Sequence, residues 1–236
     1  MMEISVILPS YQEAENLRNI LPKLNSILSE KGLGFEILVI DTKEAMDDSK
    51  DVCESNQARY INRENGNMYG DAIRTGFKYA QGKYTVVMDA DGSHDPADII
   101  RFYDAMGSGN YDMVIGSRYC KGGQTDNNLI LQTMSWMLNL TYRVVFGIKA
   151  KDISNSYRMY KTDQIRELKL ECDNFDIVEE ILIKLNYMIE DFSIKEIPIR
   201  FNKRDKGESK RDLFKFILSY LKTMKKLKDI KSDIVK

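Results

Sequence analysis

Cysteine is scarce in this 236-residue chain: three residues, Cys53, Cys120 and Cys172. The number is odd, the spacing is wide and no Cys-x-x-Cys pair occurs. A disulfide framework and a thiolate zinc site are excluded, and reduced cytoplasmic thiols are expected. Long apolar runs are also missing. The nearest to a membrane span is residues 129–148, and Gln132, Asn139 and Arg143 interrupt it before it reaches the ~18 apolar residues a span requires. The opening "MMEISVILPS" has no basic segment followed by an apolar stretch, so no signal peptide is expected. Net charge is −1, which gives no general attraction to nucleic acid. The basic excess is local: residues 203–236 carry 12 Lys/Arg against 5 Asp/Glu. Repeats, low-complexity tracts and a domain-splitting linker are absent. One domain over 1–210 is expected, followed by a basic amphipathic helix over 211–236.

What remains is an ordinary globular balance, 43% hydrophobic and 30% charged, long enough for a sizeable core. "ISVILP" (4–9), "FEILVID" (35–41), "YTVVMDA" (84–90) and "YDMVIGSR" (111–118) read as buried strands, with "ARYIN" (58–62) as a shorter one. Helical spacings lie between them: Leu17, Ile20, Leu21, Leu24 and Leu28 in the first, then residues 68–80 and 96–106. Strands that are apolar throughout and alternate with helices predict a mostly parallel sheet covered on both faces, an α/β fold. Residues 129–148 read as an amphipathic helix, 156–161 as a strand, 176–189 as a helix and 192–201 as a strand. The chain ends in a helix with an apolar stripe at Leu213, Phe214, Phe216, Ile217, Tyr220, Leu221, Met224 and Leu227. Parallel sheets bind ligands beyond the carboxyl ends of their strands. Pro9-Ser10-Tyr11, Asp41 and Asp89-Ala90-Asp91 stand at three such ends and are expected to meet at one crevice.

"VVMDADGSHDP" (86–96) raises the sharpest chemical question, because an apolar run ends in Asp89, Asp91 and Asp95. In an extended segment, carboxylates at i and i+2 point the same way, roughly 6–7 Å apart. Both then reach one hard cation such as Mg2+, which takes one or two carboxylates plus phosphate and water. Acids after strands also cap helices, and Asp95 before Pro96 is placed to do so.

"PSYQEAENL", "VID", "NGNMYGDAIRTGFKYAQGKYTVVMDADGSHDP", "IGSRYCKGG", "DISNSYRMY" and "EIPIRFNKRDKGESK" follow one another in this order. Together they resemble the inverting nucleotide-sugar glycosyltransferases with the Rossmann-like A-type fold. Within these the likeness is greatest to the polyprenyl-phosphate glycosyltransferases, dolichol-phosphate mannosyltransferase among them. The resemblance covers about residues 3–210. It implies that Pro9, Ser10, Tyr11 and Glu13, with Asp41, lie along the donor nucleoside. Gln12 belongs to the same motif. Family members usually carry Asp-Asp where this chain has Asp41-Thr42.

The resemblance also implies that Asp89, Ala90 and Asp91 face the diphosphate, with Mg2+ or Mn2+ on Asp89 and Asp91. Ser93 stands where some relatives supply a further ligand. Arg118 would meet phosphate. "DISNSYRMY" departs from the Asp-x-Thr-Ser-Gly-Phe-Arg usual in relatives, but Asp152, Ser154 and Arg158 remain. Arg204, Gly207, Ser209 and Lys210 would close over the donor, Arg204 and Lys210 touching it. Gly70, Ala72 and Gly76 match a small-residue pattern read as packing, and His94 as structural. The helix after "GSRY" lacks the arginines that lipid-phosphate relatives carry there; its first is Arg143.

The expected activity is metal-dependent transfer of a hexose from a nucleotide-diphosphate sugar to a polyprenyl phosphate, with peripheral contact at the inner membrane face and room for a homodimer. An anionic acceptor needs no general base, whereas a glycan hydroxyl does. Asp176, Glu179 and Glu180 are the candidates for that base. Nucleotidyl transfer onto a sugar phosphate is a rival, but "LPSYQEAENL" has no glycine for a phosphate loop. A non-catalytic membrane-associated binding protein is the remaining one.

Overall fold

The computed structural model describes residues 2–127, 129–202 and 213–235. In chain order the elements are β1 (Ile4–Pro9), α1 (Ala14–Glu30), β2 (Phe35–Asp41), α2 (Ser49–Ser55), β3 (Arg59–Asn62), α3 (Tyr69–Tyr79), β4 (Tyr84–Val87), α4 (Asp98–Gly109), β5 (Met113–Ser117), β6 (Gln124–Thr125), α5 (Leu129–Phe146), β7 (Arg158–Lys161), α6 (Thr162–Arg166), α7 (Ile177–Met188), β8 (Ile194–Pro198), β9 (Arg200–Phe201) and α8 (Leu213–Val235). The seven-stranded sheet runs β3-β2-β1-β4-β7-β5-β8.

The apolar runs form strands because both faces are covered. Ile7, Leu38, Ile40 and Val87 point to one side and pack with Ala72, Ile73 and Phe77 of α3 and Ile177, Ile181 and Leu182 of α7. Val6, Leu8, Val39 and Val86 point to the other side, against Leu17, Leu21 and Leu24 of α1 and Ile99 and Phe102 of α4. Each run thus alternates between two buried layers, which is why it shows no polar alternation. The mostly parallel sheet with helices on both faces is as expected.

Two features position the site. β2, β1 and β4 are adjacent and parallel, with Pro9 opposite Ile40 and Ile7 opposite Val87. Their carboxyl ends therefore open side by side. β7 then enters antiparallel between β4 and β5, pairing Met159 with Val86 and Val114. Being antiparallel, it begins at the end of the sheet where β4 and β5 finish. The residues leading into β7 are thereby delivered to the same crevice.

Small residues permit the close approaches. A Cβ on Gly76 would lie 2.7 Å from Ile7 Cγ2, and one on Gly70 would lie 2.4 Å from the Cys172 carbonyl oxygen. In α8, Met224, Leu227 and Ile230 are buried in the same core layer as α7, while Lys222, Lys225 and Lys228 are exposed. α5 departs from the amphipathic pattern. Asn139, Tyr142 and Phe146 face the body of the protein, but its outer side is apolar as well.

Candidate active site

β4 stops at Val87, so Asp89 and Asp91 sit on an irregular segment. The extended geometry expected to aim both carboxylates one way is absent. Gly92 turns the chain with φ +80. Ser93 then folds back, and its N–H and hydroxyl donate to Asp91 Oδ1 at 3.1 and 2.5 Å. Ser93 is fully buried and holds Asp91 in place. Asp89 accepts from Tyr69 Oη at 3.4 Å and from Ser156 Oγ at 2.9 Å. Its backbone N–H donates to His94 Nδ1 at 3.1 Å, and His94 Nε2 lies 3.2 Å from Asn155 Oδ1. Burial pushes the His94 pKa down, and its ring stacks on Tyr157. A neutral histidine that braces the loop is a structural residue, as expected. Asp95 accepts the Ala97 N–H at 3.0 Å and so shapes the turn into α4.

Arg118 follows the end of β5 and is locked by the segment entering β7. Its N–H, Nε and Nη2 donate to Asp152 at 2.8, 2.8 and 2.7 Å, and Nη2 also reaches Ser154 Oγ at 2.9 Å. Burial opposes its charge, but the fully buried Asp152 carboxylate more than offsets this and raises the pKa. The rings of Tyr119 and Phe201 flank the guanidinium at 5.2 and 5.4 Å. Arg118 is therefore a permanent cation in a fixed orientation. Arg158 plays another part. It is wholly buried and donates to the carbonyls of Asn155, Val178 and Ile153, tying the β7 entry to α7.

At the ends of β1 and β2, the chain leaves buried polar atoms without partners. Ser10 Oγ and Asp41 Oδ1 have none among the described residues. Asp41 Oδ2 accepts from Tyr60 Oη at 3.0 Å, and burial raises the Asp41 pKa. Pro9 ends β1 opposite Ile40, Tyr11 is exposed, and Glu13 accepts from Asn16 Nδ2 at 2.6 Å. Sequence reasoning missed Arg63, which joins these ends. It donates to the Ser10, Asn67 and Met68 carbonyls, and among the described residues it donates to no carboxylate. It missed Tyr69 and Ser156 too. Ser156 lies inside the quoted "DISNSYRMY" motif, while Tyr69 carried no signal beyond its place before Gly70. Arg204, Gly207, Ser209 and Lys210 lie outside the described residues.

The three base candidates separate. Glu180 is fully buried, pairs with Lys184 at 2.8 Å and accepts the Glu171 and Cys172 N–H groups, a structural task. Asp176 accepts the Asn174 N–H at 3.1 Å. Glu179 is buried with Oε2 unpartnered among the described residues, and burial pushes its pKa up to about 7.

The donor set fits a hard divalent cation shared with a ligand. Asp89 and Asp91 would supply carboxylate oxygens, which neutral donors steady, and phosphate and water would complete the coordination. Among the described residues no group of three acidic, histidine or cysteine side chains forms an all-protein cage. A cavity of ≈ 240 Å³ adjoins the loop, lined by Asn16, Lys23, Gly92, His94 and Asn202 among others. A larger one of ≈ 550 Å³ lies beside β8 and includes none of the expected site residues.

Residues 5–169 match the profile of glycosyl transferase family 2. The chain belongs to glycosyl transferase family 2. It is 30% identical over 235 residues to a dolichol-phosphate mannosyltransferase of Pyrococcus furiosus, covering 95% of this chain and 64% of that one. This family 2 chain thus spans slightly under two thirds of that relative. It is also 30% identical to a polyprenol monophosphomannose synthase of Mycolicibacterium smegmatis, covering 87% of this chain and 79% of the relative. An undecaprenyl-phosphate mannosyltransferase of Micrococcus luteus matches at 30% identity, covering 89% and 87%. Among solved structures, glucosyl-3-phosphoglycerate synthase of Mycobacterium tuberculosis with Mn2+, UDP and phosphoglyceric acid superposes with a TM-score of 0.73. Identity there is 15%, covering 94% of this chain and 76% of that one, so the likeness is one of fold.

Proposed function

We propose that the chain moves a hexose from a nucleotide-diphosphate sugar to a polyprenyl phosphate, as a peripheral protein at the inner face of the membrane. The observation that carries this is the outer side of α5. Leu129, Ile130, Trp136, Met137, Leu140 and Val144 are exposed there, Trp136 at 55% and Val144 at 75%. Arg143 is the helix's single charge. On its inner side, Ser135 Oγ lies 3.5 Å from Arg118 Nη2. An apolar surface beside a pre-oriented guanidinium is what a phosphate on a lipid chain requires. The exposed lysines of α8 add attraction, about 1 kcal/mol each near an anionic surface. No helix among the described residues is long and apolar enough to cross a membrane. The three relatives are named for mannosyl transfer involving dolichol, polyprenol or undecaprenyl phosphate carriers.

The chemistry follows from the groups present. A phosphate acceptor is anionic near neutral pH and attacks without a base. Arg118 binds and orients it toward the sugar carbon, which supplies alignment. The donor nucleoside lies across Pro9–Tyr11, Glu13 and Asp41, and its diphosphate faces Asp89–Asp91. Asp91, with Asp89 assisting, would hold Mg2+ or Mn2+, which neutralises charge on the departing diphosphate when bound. Solved neighbours carry Mn2+ or Mg2+ with UDP. Glu179 is the observation favouring a second reading, transfer to a glycan hydroxyl with that carboxylate as base.

Vesicle flotation tests the membrane half of the proposal. Intact protein should float with anionic vesicles, less so in high salt, and Trp136→Glu with Val144→Glu should abolish flotation while donor hydrolysis persists. Protein that ignores vesicles, or floats equally with both substitutions, would contradict it.

A further inference from the structure

We infer that Phe175, stacked on Tyr69, is an aromatic platform for the hexosyl ring of the donor. This deepens the proposed function and rests on it. The two rings lie 4.2 Å apart at 14°, so Tyr69 covers one face of Phe175. Phe175 nevertheless keeps 49% of its surface exposed. The hydroxyl of Tyr69 reaches Asp89 Oδ1 at 3.4 Å, which places the pair at the carboxylate expected to face the sugar diphosphate.

The platform is built rather than incidental. Gly70 N–H donates to the Asp173 carbonyl at 2.7 Å, an approach that any Cβ on Gly70 would block. Arg74 donates to the Cys172 carbonyl at 2.7 Å and to Asp173 Oδ1 at 2.9 Å. Glu180 receives the N–H groups of Glu171 and Cys172, and Lys226 Nζ donates to the Glu171 carbonyl at 2.8 Å. Three helices, α3, α7 and α8, thus fix the segment that carries an open phenyl ring.

A pyranose has a polar rim and one face of C–H groups. That face packs on aromatic rings, and binding sites combine such surfaces with a few placed polar groups. Here the ring is Phe175, and the polar groups beside it are Tyr69 Oη and Asp89. The alternative apolar occupant, the isoprenoid chain, is served by α5, which is tied to Arg118 rather than to Asp89.

The test uses the full chain with Mg2+ and titrates two pairs of probes, UDP with UDP-glucose and GDP with GDP-mannose. Phe175→Leu keeps an apolar side chain but removes the ring. It should weaken the nucleotide sugar about threefold to tenfold while nucleoside diphosphate affinity stays within about twofold. Phe175→Tyr should restore sugar binding, and the KM for donor, not acceptor, should follow the same order. Equal weakening of sugar and diphosphate, no change in either, or a shift in acceptor KM alone would overturn the inference while leaving the proposed function standing. Binding of neither pair by the unaltered protein would sink the proposed function and the inference with it.

Discussion

Replacing Asp152 by Ala strips the partner from Arg118 and tests whether the cation beside α5 is built as described. Asp152 is fully buried and accepts three hydrogen bonds from Arg118, whose side chain is 9% exposed. Removing one member of a buried pair leaves an uncompensated charge, typically about 3–5 kcal/mol. For a chain of this length each kcal/mol moves Tm by roughly 2–4 °C, so a fall of roughly 6–20 °C is expected. Calorimetry of Asp152→Ala reads it directly. The double variant Arg118→Met with Asp152→Leu separates stability from function. Apolar replacement of a whole buried pair is close to neutral, within about a few kcal/mol, so Tm should return most of the way. Sugar transfer should remain lost in the double variant, because no guanidinium meets the acceptor phosphate. An unchanged Tm in Asp152→Ala would refute the buried pair. Unimpaired transfer by the double variant would refute the role of Arg118.

Glu179 should make stability depend on pH. Its folded pKa is raised by burial to about 7 from 4.5, so its contribution is present below about pH 4.5 and lost as pH rises through 7, on the order of 3 kcal/mol. Urea titrations at pH 5 and pH 8 should show that slope in the unaltered chain and a flatter one in Glu179→Gln; equal slopes would refute it. Gly70→Ala should destabilise by about 1–3 kcal/mol, because the new Cβ meets the Cys172 carbonyl at 2.4 Å. It should also lower transfer by displacing the strap that carries Phe175, and unchanged kinetics would separate that strap from the site.

The parallel half of the fold was legible because β1, β2 and β4 are apolar runs ending at Pro9, Asp41 and the Asp89 loop. Burial on both faces erases polar alternation and marks such strands plainly. The insertion of β7 between β4 and β5 was not legible. Pairing Met159 with Val86 and Val114 is a long-range choice that local pattern does not encode. For the same reason the Arg118–Asp152 pair and the Ser156–Asp89 contact were out of reach as contacts, although their motifs were noted. The carboxylate geometry was misread because strand length was inferred from hydrophobicity, which runs on through Met88 after the hydrogen-bonded ladder has stopped. α5 was read as amphipathic from its polar interruptions. One of them, Asn139, faces inward to accept the N–H groups of Ile153 and Ser154, leaving apolar residues outside.

The proposed acceptor is a phosphate on a lipid. The direct measurement supplies radiolabelled GDP-mannose or UDP-glucose and Mg2+ to the protein on vesicles with or without undecaprenyl phosphate, and counts label in the organic extract. Label should enter the extract only when the lipid phosphate is present, and should be lost in Arg118→Met. Donor consumption with no label entering lipid, or transfer to a soluble glycan hydroxyl instead, would contradict it.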